Sequence, residues 1–123
     1  MQLDFYPQQE DWTVLVDVQK KNANYTDLVS DEVAVIDHHS YNGPQGYRYE
    51  DVREDVGACA SIIASYFHES GTEIPRLVAT SLFYGILMDT DGLTRGVSQL
   101  DINIFYLYSL QNHSVLGPDS SAC

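Results

Sequence analysis

A chain of 123 residues is long enough for one domain built around one hydrophobic core. With 44% hydrophobic and 20% charged residues, its composition is globular, which excludes disorder of the whole chain. Eighteen acidic against six basic residues give a formal net charge of −12, so a phosphate ligand would need metal ions or a local basic cluster. Two cysteines form no disulfide framework, and no apolar run approaches the roughly 18 residues of a membrane span, so we expect a cytoplasmic protein with no membrane partner.

The first half of the chain predicts short parallel strands. After a lead-in over residues 1–10, the runs Asp11 to Val18 (DWTVLVDV) and Glu32 to Asp37 (EVAVID) contain consecutive apolar residues. Such runs are typical of strands that a parallel sheet buries on both faces. The connection between them is long enough for the crossover that a parallel pair needs. A third strand is predicted over Tyr47 to Val52.

The second half predicts three helices. The first covers residues 56–71 and ends at Gly71, the second runs from Pro75 to near Asp89, and the third covers residues 98–112. The third helix is apolar on two sides, which predicts a second packing partner for it. The core face of the second helix is predicted to hold Ile74, Leu77, Val78, Ser81, Leu82, Gly85 and Ile86. We expect one α/β domain over residues 11–112, with a short parallel sheet and flanking helices, followed by a flexible tail over residues 113–123.

Polar side chains that can bind metal stand where these elements end. Asp17 follows the first strand, Asp37, His38 and His39 follow the second, and Asp89 ends a helix. The carboxyl ends of strands line the ligand crevice of open α/β sheets, so Asp17 and the histidines should meet there if the two strands are neighbours. Carboxylates with imidazole suit Mn²⁺ or Mg²⁺. The competing interpretation is structural, because an aspartate at the end of an element commonly caps a turn or a helix.

The segment Val33 to Pro44 (VAVIDHHSYNGP) resembles the signature of the DHH phosphoesterase superfamily, which includes family II inorganic pyrophosphatases, exopolyphosphatases, phosphodiesterases of short nucleotides and single-strand exonucleases. VLVDV is similar to the strand that carries the family's metal-bridging aspartate. DVGACASIIASYF resembles the helix that follows the histidine motif, and ATSLFYGILMDTDGLTRG resembles the fourth motif. The likeness covers residues 11–110 and omits the family's first motif and its C-terminal substrate-binding domain, so a truncated domain is expected.

The resemblance implies a role for each of these residues. Asp17 would bridge two divalent ions, Mn or Mg, while His38 and Asp89 would each ligate one of them. His39 would act as a catalytic residue that faces the substrate phosphate and assists the departing charge. Asp37 would serve catalysis by holding the histidine pair in position.

The activity that the resemblance implies is metal-dependent hydrolysis of a phosphoester or phosphoanhydride, in a small molecule or a short oligonucleotide. Arg95 follows the fourth motif and, as one of few cations, would contact the substrate. The incomplete ligand set predicts an impaired isolated chain. The alternative is a catalytically inactive, self-associating scaffold domain. The absent first strand and the two-sided third helix predict a homodimer or larger assembly.

Overall fold

The apolar runs of the first half form three strands, β1 (Trp12–Val16), β2 (Asp31–Asp37) and β3 (Tyr49–Val52). They pair in parallel in the order β1-β2-β3. The computed structural model describes residues 7–21 and 30–116, with side chains as far as residue 110. The chain divides after Glu54 into two compact units, which are described separately. All three predicted strands are confirmed, β1 and β3 with shorter bounds; most of the predicted lead-in and the segment 22–29 lie outside the described residues.

The two faces of this sheet differ in exposure. Leu15 of β1 and Val35 of β2 are directly paired and buried on one face. On the opposite face Trp12, Val14 and Val16 are 71%, 53% and 49% exposed. The expectation that the first strand is buried on both faces is therefore wrong. Alternate side chains of a strand point to opposite faces of the sheet, and β1 is an outer strand of the described sheet. A run of consecutive apolar residues therefore does not show that only one face of β1 is buried.

The described parts of the connections between the strands meet on the buried face. Glu32 lies on that face, because it pairs with Thr13 in the register, and Lys20 Nζ is 3.3 Å from its Oε1. Lys20 belongs to the connection after β1. Its backbone N–H donates to the Tyr47 hydroxyl at 2.9 Å, and its Nζ donates to the Gln45 carbonyl at 3.1 Å, both in the connection after β2. Right-handed crossovers that advance in one direction across a sheet lie on the same face, which agrees with this arrangement.

The described part of the second unit contains three helices, α1 (Cys59–Ser70), α2 (Arg76–Asp89) and α3 (Gln99–Leu116). Gly71 ends α1 in the left-handed conformation at φ 69°, and its N–H donates to the His68 carbonyl at 3.2 Å. α3 continues to Leu116, into the segment predicted as a tail, while residues 117–123 lie outside the described part. A buried cluster joins the helices and contains Ala58, Ala64, Ile86, Ile104 and Tyr108.

The core-facing sides of α2 and α3 were only partly predictable. On α2, Ile86 is buried as expected, but the expectation fails at Leu77 and Val78, which are 82% and 39% exposed. Ser81 is exposed as well. The reason is that α2 is apolar on most of its circumference, so the helical period does not select one side.

The third helix has two apolar sides, as expected. Ile104 and Tyr108 are buried in the core of the second unit, whereas Ile102 and Tyr106 are 45% and 63% exposed. No helix among the described residues combines the length and the apolar character needed to cross a lipid bilayer. The cytoplasmic location remains a prediction. The expected α/β class, with a short parallel sheet and helices, is confirmed.

Candidate metal centre

The carboxyl ends of β1 and β2 bring four side chains together. One potential ligand atom from each of Asp17, Asp37, His38 and His39 lies within 4.8 Å of the others. His38 Nε2 is 3.2 Å from Asp17 Oδ1, and His39 Nδ1 is 4.0 Å from the same oxygen. β1 and β2 are parallel neighbours, so the residues that follow them reach the same edge of the sheet. Asp17 and the histidine pair therefore meet, as their spacing in the sequence suggested.

Asp17 has a backbone conformation that is uncommon for a residue other than glycine. Its φ is 67°, in the left-handed region, which aspartate tolerates better than most side chains. Its N–H donates to the Ile36 carbonyl at 2.9 Å and so holds the residue against the end of β2. Such conformations persist where the surrounding structure enforces them, and they are enriched at functional sites. The backbone of Asp17 is thus fixed at the end of β1, beside the end of β2.

Asp37 is fully buried and fixes the orientation of His39. Its Oδ1 is 2.8 Å from His39 Nδ1, and its Oδ2 accepts from Gln19 Nε2 at 2.7 Å. Burial alone would raise the pKa of Asp37, but hydrogen bonds from Gln19, His39 and the His38 backbone outweigh burial and lower the pKa. An ionised carboxylate only accepts hydrogen bonds, so Nδ1 of His39 carries a proton and Nε2 is directed away from Asp37.

Gln19 is a member of this site that the sequence did not reveal. It is only 2% exposed, and its Nε2 also donates to the Ser40 carbonyl at 3.0 Å. Its Oε1 accepts from the Asn42 backbone N–H at 2.9 Å. One side chain therefore ties the end of β1 to Asp37 and to the segment after the histidines. A glutamine two residues beyond Asp17 carries no sequence signal for this role.

Two predicted site residues belong to the second unit. Asp89 is the last residue of α2, and Arg95 lies in the turn that follows; both are exposed. Buried Thr90 shapes this turn, because its hydroxyl donates to the Ile86 carbonyl at 2.6 Å and accepts from the Leu93 N–H at 3.0 Å. The metal role of Asp89 and the substrate role of Arg95 remain predictions.

A further buried carboxylate, Asp101, was not singled out in the sequence. Its Oδ2 accepts from the backbone N–H groups of Gly57 and Ser98 at 2.7 and 2.8 Å and from the Ser98 hydroxyl at 2.6 Å. Its Oδ1 accepts from the Ser61 hydroxyl at 2.5 Å. Burial would raise the pKa of Asp101, but these hydrogen bonds outweigh burial and lower the pKa. With both oxygens engaged, Asp101 joins the starts of α1 and α3.

Two curated proteins are similar to this chain in sequence, and no family model matches it. The uncharacterized protein MJ1633 of Methanocaldococcus jannaschii is 46% identical over 83 residues, which are 67% of this chain and 17% of that protein. The uncharacterized protein MJ0988 of the same organism is 30% identical over 109 residues, 85% of this chain and 33% of that protein. The chain thus spans a third or less of either relative.

A solved structure shares the fold. It is the crystal structure of a Methanococcus jannaschii protein assigned to the family II inorganic pyrophosphatases, with a TM-score of 0.70 and 20% identity. The match covers 86% of this chain and 38% of that one. The fold of this chain is therefore that of part of a pyrophosphatase-like α/β protein.

Proposed function

We propose that this chain carries part of the metal centre of a divalent-metal-dependent hydrolase of the DHH phosphoesterase superfamily, which cleaves phosphoanhydride or phosphoester bonds. The observation that carries the proposal is the cluster of Asp17, Asp37, His38 and His39 at the ends of two parallel strands. The assignment of the solved structure with the same fold to the pyrophosphatases supports a phosphate substrate and a divalent ion.

The donor atoms of the cluster fit such an ion. Asp17 offers carboxylate oxygens, and His38 offers an imidazole nitrogen 3.2 Å from one of them. Oxygen donors suit Mn²⁺ and Mg²⁺, and the imidazole favours Mn²⁺. We assign the ion to Asp17 and His38, with Asp89 as the predicted ligand of a second ion. When bound, such ions polarise the phosphoryl group and make water a stronger nucleophile at neutral pH.

His39 and Asp37 supply the proton transfer in this proposal. Asp37 keeps the proton on Nδ1 of His39, so Nε2 is the ring nitrogen proposed to contact a ligand. The His39 side chain is 50% exposed, which makes it accessible to substrate. A protonated Nε2 can donate to the departing phosphate oxygen, and the neutral form can take the proton back from water. Arg95 is the proposed cationic contact for the substrate phosphate.

Calorimetric titration of the chain with Mn²⁺ and Mg²⁺, together with an assay of pyrophosphate and of a generic phosphodiester, tests this function. We expect Asp17→Asn and His38→Ala to weaken Mn²⁺ binding at least about tenfold and to abolish any turnover. Asp55→Asn, an exposed aspartate outside the cluster, is the matched control and should bind as the wild type does. Equal Mn²⁺ affinity in Asp17→Asn and the wild type would contradict the proposal.

The second candidate function is that of a catalytically inactive, self-associating domain. The exposed apolar side chains of β1 favour it, because parallel sheets are normally covered on both faces. The same titration separates the two functions. No Mn²⁺ binding at millimolar concentration, with no turnover, would support the scaffold over the enzyme.

A further inference from the structure

We propose that Tyr41 stacks on the base of a nucleotide, so that the substrate of the candidate metal centre is a nucleoside phosphoester. The proposal rests on the proposed hydrolase function and adds its substrate class. Tyr41 lies two residues beyond His39, the residue proposed to contact the departing phosphate oxygen. A chain advances by at most about 3.6 Å per residue, so the Cα atoms of these two residues lie within about 7 Å of each other.

Two glutamates hold Tyr41 at both of its ends. The Tyr41 N–H donates to Glu54 Oε2 at 2.9 Å, and the Tyr41 hydroxyl donates to Glu50 Oε1 and Oε2 at 3.1 and 3.0 Å. Because the backbone and the tip of the phenol are both bonded, the orientation of the ring is restricted before a ligand arrives. An aromatic side chain that is already ordered loses little conformational entropy on binding.

The backbone around Tyr41 is tied to groups that order the candidate metal centre. The N–H of the next residue donates to Gln19 Oε1 at 2.9 Å, and Gln19 Nε2 donates to the Asp37 carboxylate at 2.7 Å. Glu54, which accepts from the Tyr41 N–H, follows Arg53 in the chain. The Arg53 N–H donates to the Asp37 carbonyl at 3.0 Å. The Tyr41 backbone is therefore held beside Asp37 by two separate connections.

The ring of Tyr41 is accessible to a ligand. Tyr41 is 41% exposed, and within residues 7–21 and 30–110 no aromatic ring or cation stacks on it. The Tyr47 ring differs, because the Lys20 ammonium lies 5.2 Å from its centroid. Every base has a π face that an aromatic side chain can bind, and stacking needs a ring that is both ordered and exposed. Tyr41 meets both conditions.

The charges around Tyr41 favour an uncharged base over a second phosphate. The groups that hold Tyr41 are two exposed carboxylates, Glu50 and Glu54. Pyrophosphate presents a second anionic group, which these carboxylates repel unless cations intervene. Three of the four basic side chains in the described part of the first unit are already paired with acids, namely Lys20 with Glu32, Arg48 with Asp31 and Arg53 with Asp51. A neutral aromatic base therefore fits next to Tyr41 better than a phosphate does.

Calorimetric titrations of the chain with and without excess Mg²⁺ test this contact with three probes. Adenosine monophosphate carries a phosphate, a sugar and a base, ribose 5-phosphate lacks only the base, and pyrophosphate has a second phosphate in place of the nucleoside. With Mg²⁺ present, we expect adenosine monophosphate to bind at least about fivefold more tightly than either of the other probes. Mg²⁺ is diamagnetic, so NMR spectra of the same samples should show upfield shifts of the adenine and Tyr41 ring protons, as stacked rings produce.

Variants of Tyr41 separate stacking from a structural role of its hydroxyl. Tyr41→Phe keeps the ring and loses the bond to Glu50, and it should retain the preference for adenosine monophosphate over ribose 5-phosphate within about twofold. Tyr41→Leu removes the ring and should abolish that preference. Tyr49→Leu, at an exposed tyrosine at the start of β3, is the matched control and should bind as the wild type does. Circular dichroism checks each fold. If Tyr41→Leu is unfolded, Tyr41→Trp gives the second test, because its larger ring should raise the preference.

The dinucleotide pApA distinguishes the two sources of this chemistry. Binding tighter than that of adenosine monophosphate would identify the end of an oligonucleotide, and equal binding would identify a free nucleotide.

Three results would overturn the base contact and leave the hydrolase function standing. The first is Mg²⁺-dependent binding of pyrophosphate or ribose 5-phosphate that is as tight as that of adenosine monophosphate. The second is a folded Tyr41→Leu variant that keeps the preference. The third is a Tyr41→Phe variant that loses as much of it as Tyr41→Leu does, because the hydroxyl bond would then be responsible.

Failure of the hydrolase function gives a different result. In that case the preference for adenosine monophosphate would depend on Tyr41 but would be the same without Mg²⁺ and in Asp17→Asn. No binding of adenosine monophosphate at millimolar concentration, with or without Mg²⁺, would overturn both proposals.

Discussion

At the scale of single residues, Gln19 holds the Asp37 carboxylate in place, although the sequence gives no signal for this role. Its amide makes three hydrogen bonds between 2.7 and 3.0 Å, to the Asp37 carboxylate and to the backbone of Ser40 and Asn42. The glutamine is almost fully buried, so water cannot replace these bonds when the side chain is removed. The orientation of Asp37, and through it that of His39, therefore depends on this one amide.

We predict that Gln19→Ala lowers the free energy of unfolding by about 2–3 kcal/mol, because it leaves buried polar groups without partners. If Asp37 and the histidines serve a metal, Mn²⁺ affinity should also fall by about 10–100-fold. Urea denaturation at pH 7 and calorimetry measure the two effects. Gln99→Ala is the control, because Gln99 is exposed and its side chain bonds the exposed Asn103 side chain, and it should cost a few tenths of a kcal/mol. Equal losses in both variants would contradict this account.

The residues of the candidate metal centre differ in how far the sequence reveals them. Asp17, Asp37, His38 and His39 stand directly at strand ends, so a parallel pairing alone predicts that they meet. The role of Gln19 depends on how the connection folds back over Asp37, which no local pattern encodes. Likewise, the left-handed conformation of Asp17 results from its bond to the Ile36 carbonyl, a contact distant in sequence.

At the scale of elements, the start of α3 is organised by Asp101. The Ser98 hydroxyl and the Asp101 carboxylate bond each other's backbone N–H groups at 3.2 and 2.8 Å, which is a capping box. The same carboxylate also accepts from Gly57 and Ser61, at the start of α1. A Cβ on Gly57 would lie 2.6 Å from the Gly96 carbonyl, so only glycine fits between these elements. One carboxylate thus links two helix starts and a turn.

We predict that Asp101→Asn destabilises the chain by about 3 kcal/mol at pH 7, because an amide nitrogen would face hydrogen-bond donors. The pKa of Asp101 is lowered in the folded chain. Its contribution is therefore complete above the unfolded pKa of about 4 and is lost as pH falls through the lower folded pKa. The difference in unfolding free energy between wild type and variant should shrink from pH 6 to pH 2, as measured by urea denaturation.

Exposed Asp55 supplies the control for this prediction, and Asp55→Asn should change stability by less than about 0.5 kcal/mol at either pH. A difference between wild type and Asp101→Asn that is constant from pH 6 to pH 2 would show that the carboxylate charge does not contribute. In that case the hydrogen-bond geometry alone would account for the loss.

The type of each element was easier to predict than the side that it buries. Three strands and three helices appear in the predicted order, because β-branched runs, Pro75 and Gly71 are local signals. The exposure of Trp12 and Val14 on β1 and of Leu77 on α2 was not predicted. An apolar residue in the sequence does not show whether its partner is present in the same chain. The side that a strand or helix buries depends on tertiary packing, which local sequence patterns do not specify.

At the scale of the whole molecule, the charge of −12 opposes the compact state through self-repulsion. Salt screens this repulsion, since the Debye length falls from roughly 20 Å at 20 mM to about 3 Å at 1 M. We predict that the melting temperature rises by about 5 °C over this range of NaCl. The measurement uses the wild-type chain at low micromolar concentration, followed by circular dichroism.

A matched double variant tests whether charge is the cause of this salt effect. Glu10→Gln with Asp55→Asn removes two exposed negative charges in the same background and should reduce the slope of melting temperature against salt. A melting temperature that does not depend on salt, or a slope unchanged in the double variant, would argue against self-repulsion as a significant term.

The shift in register between β1 and β2 affects how copies of the chain can assemble. The pairing passes from Thr13 beside Glu32 to Val14 beside Ala34, so Val33 is skipped. Such an irregularity increases the local twist, and a strongly twisted outer strand is a poor template for the stepwise addition of further strands. Growth of fibrils by addition of strands at β1 is therefore disfavoured.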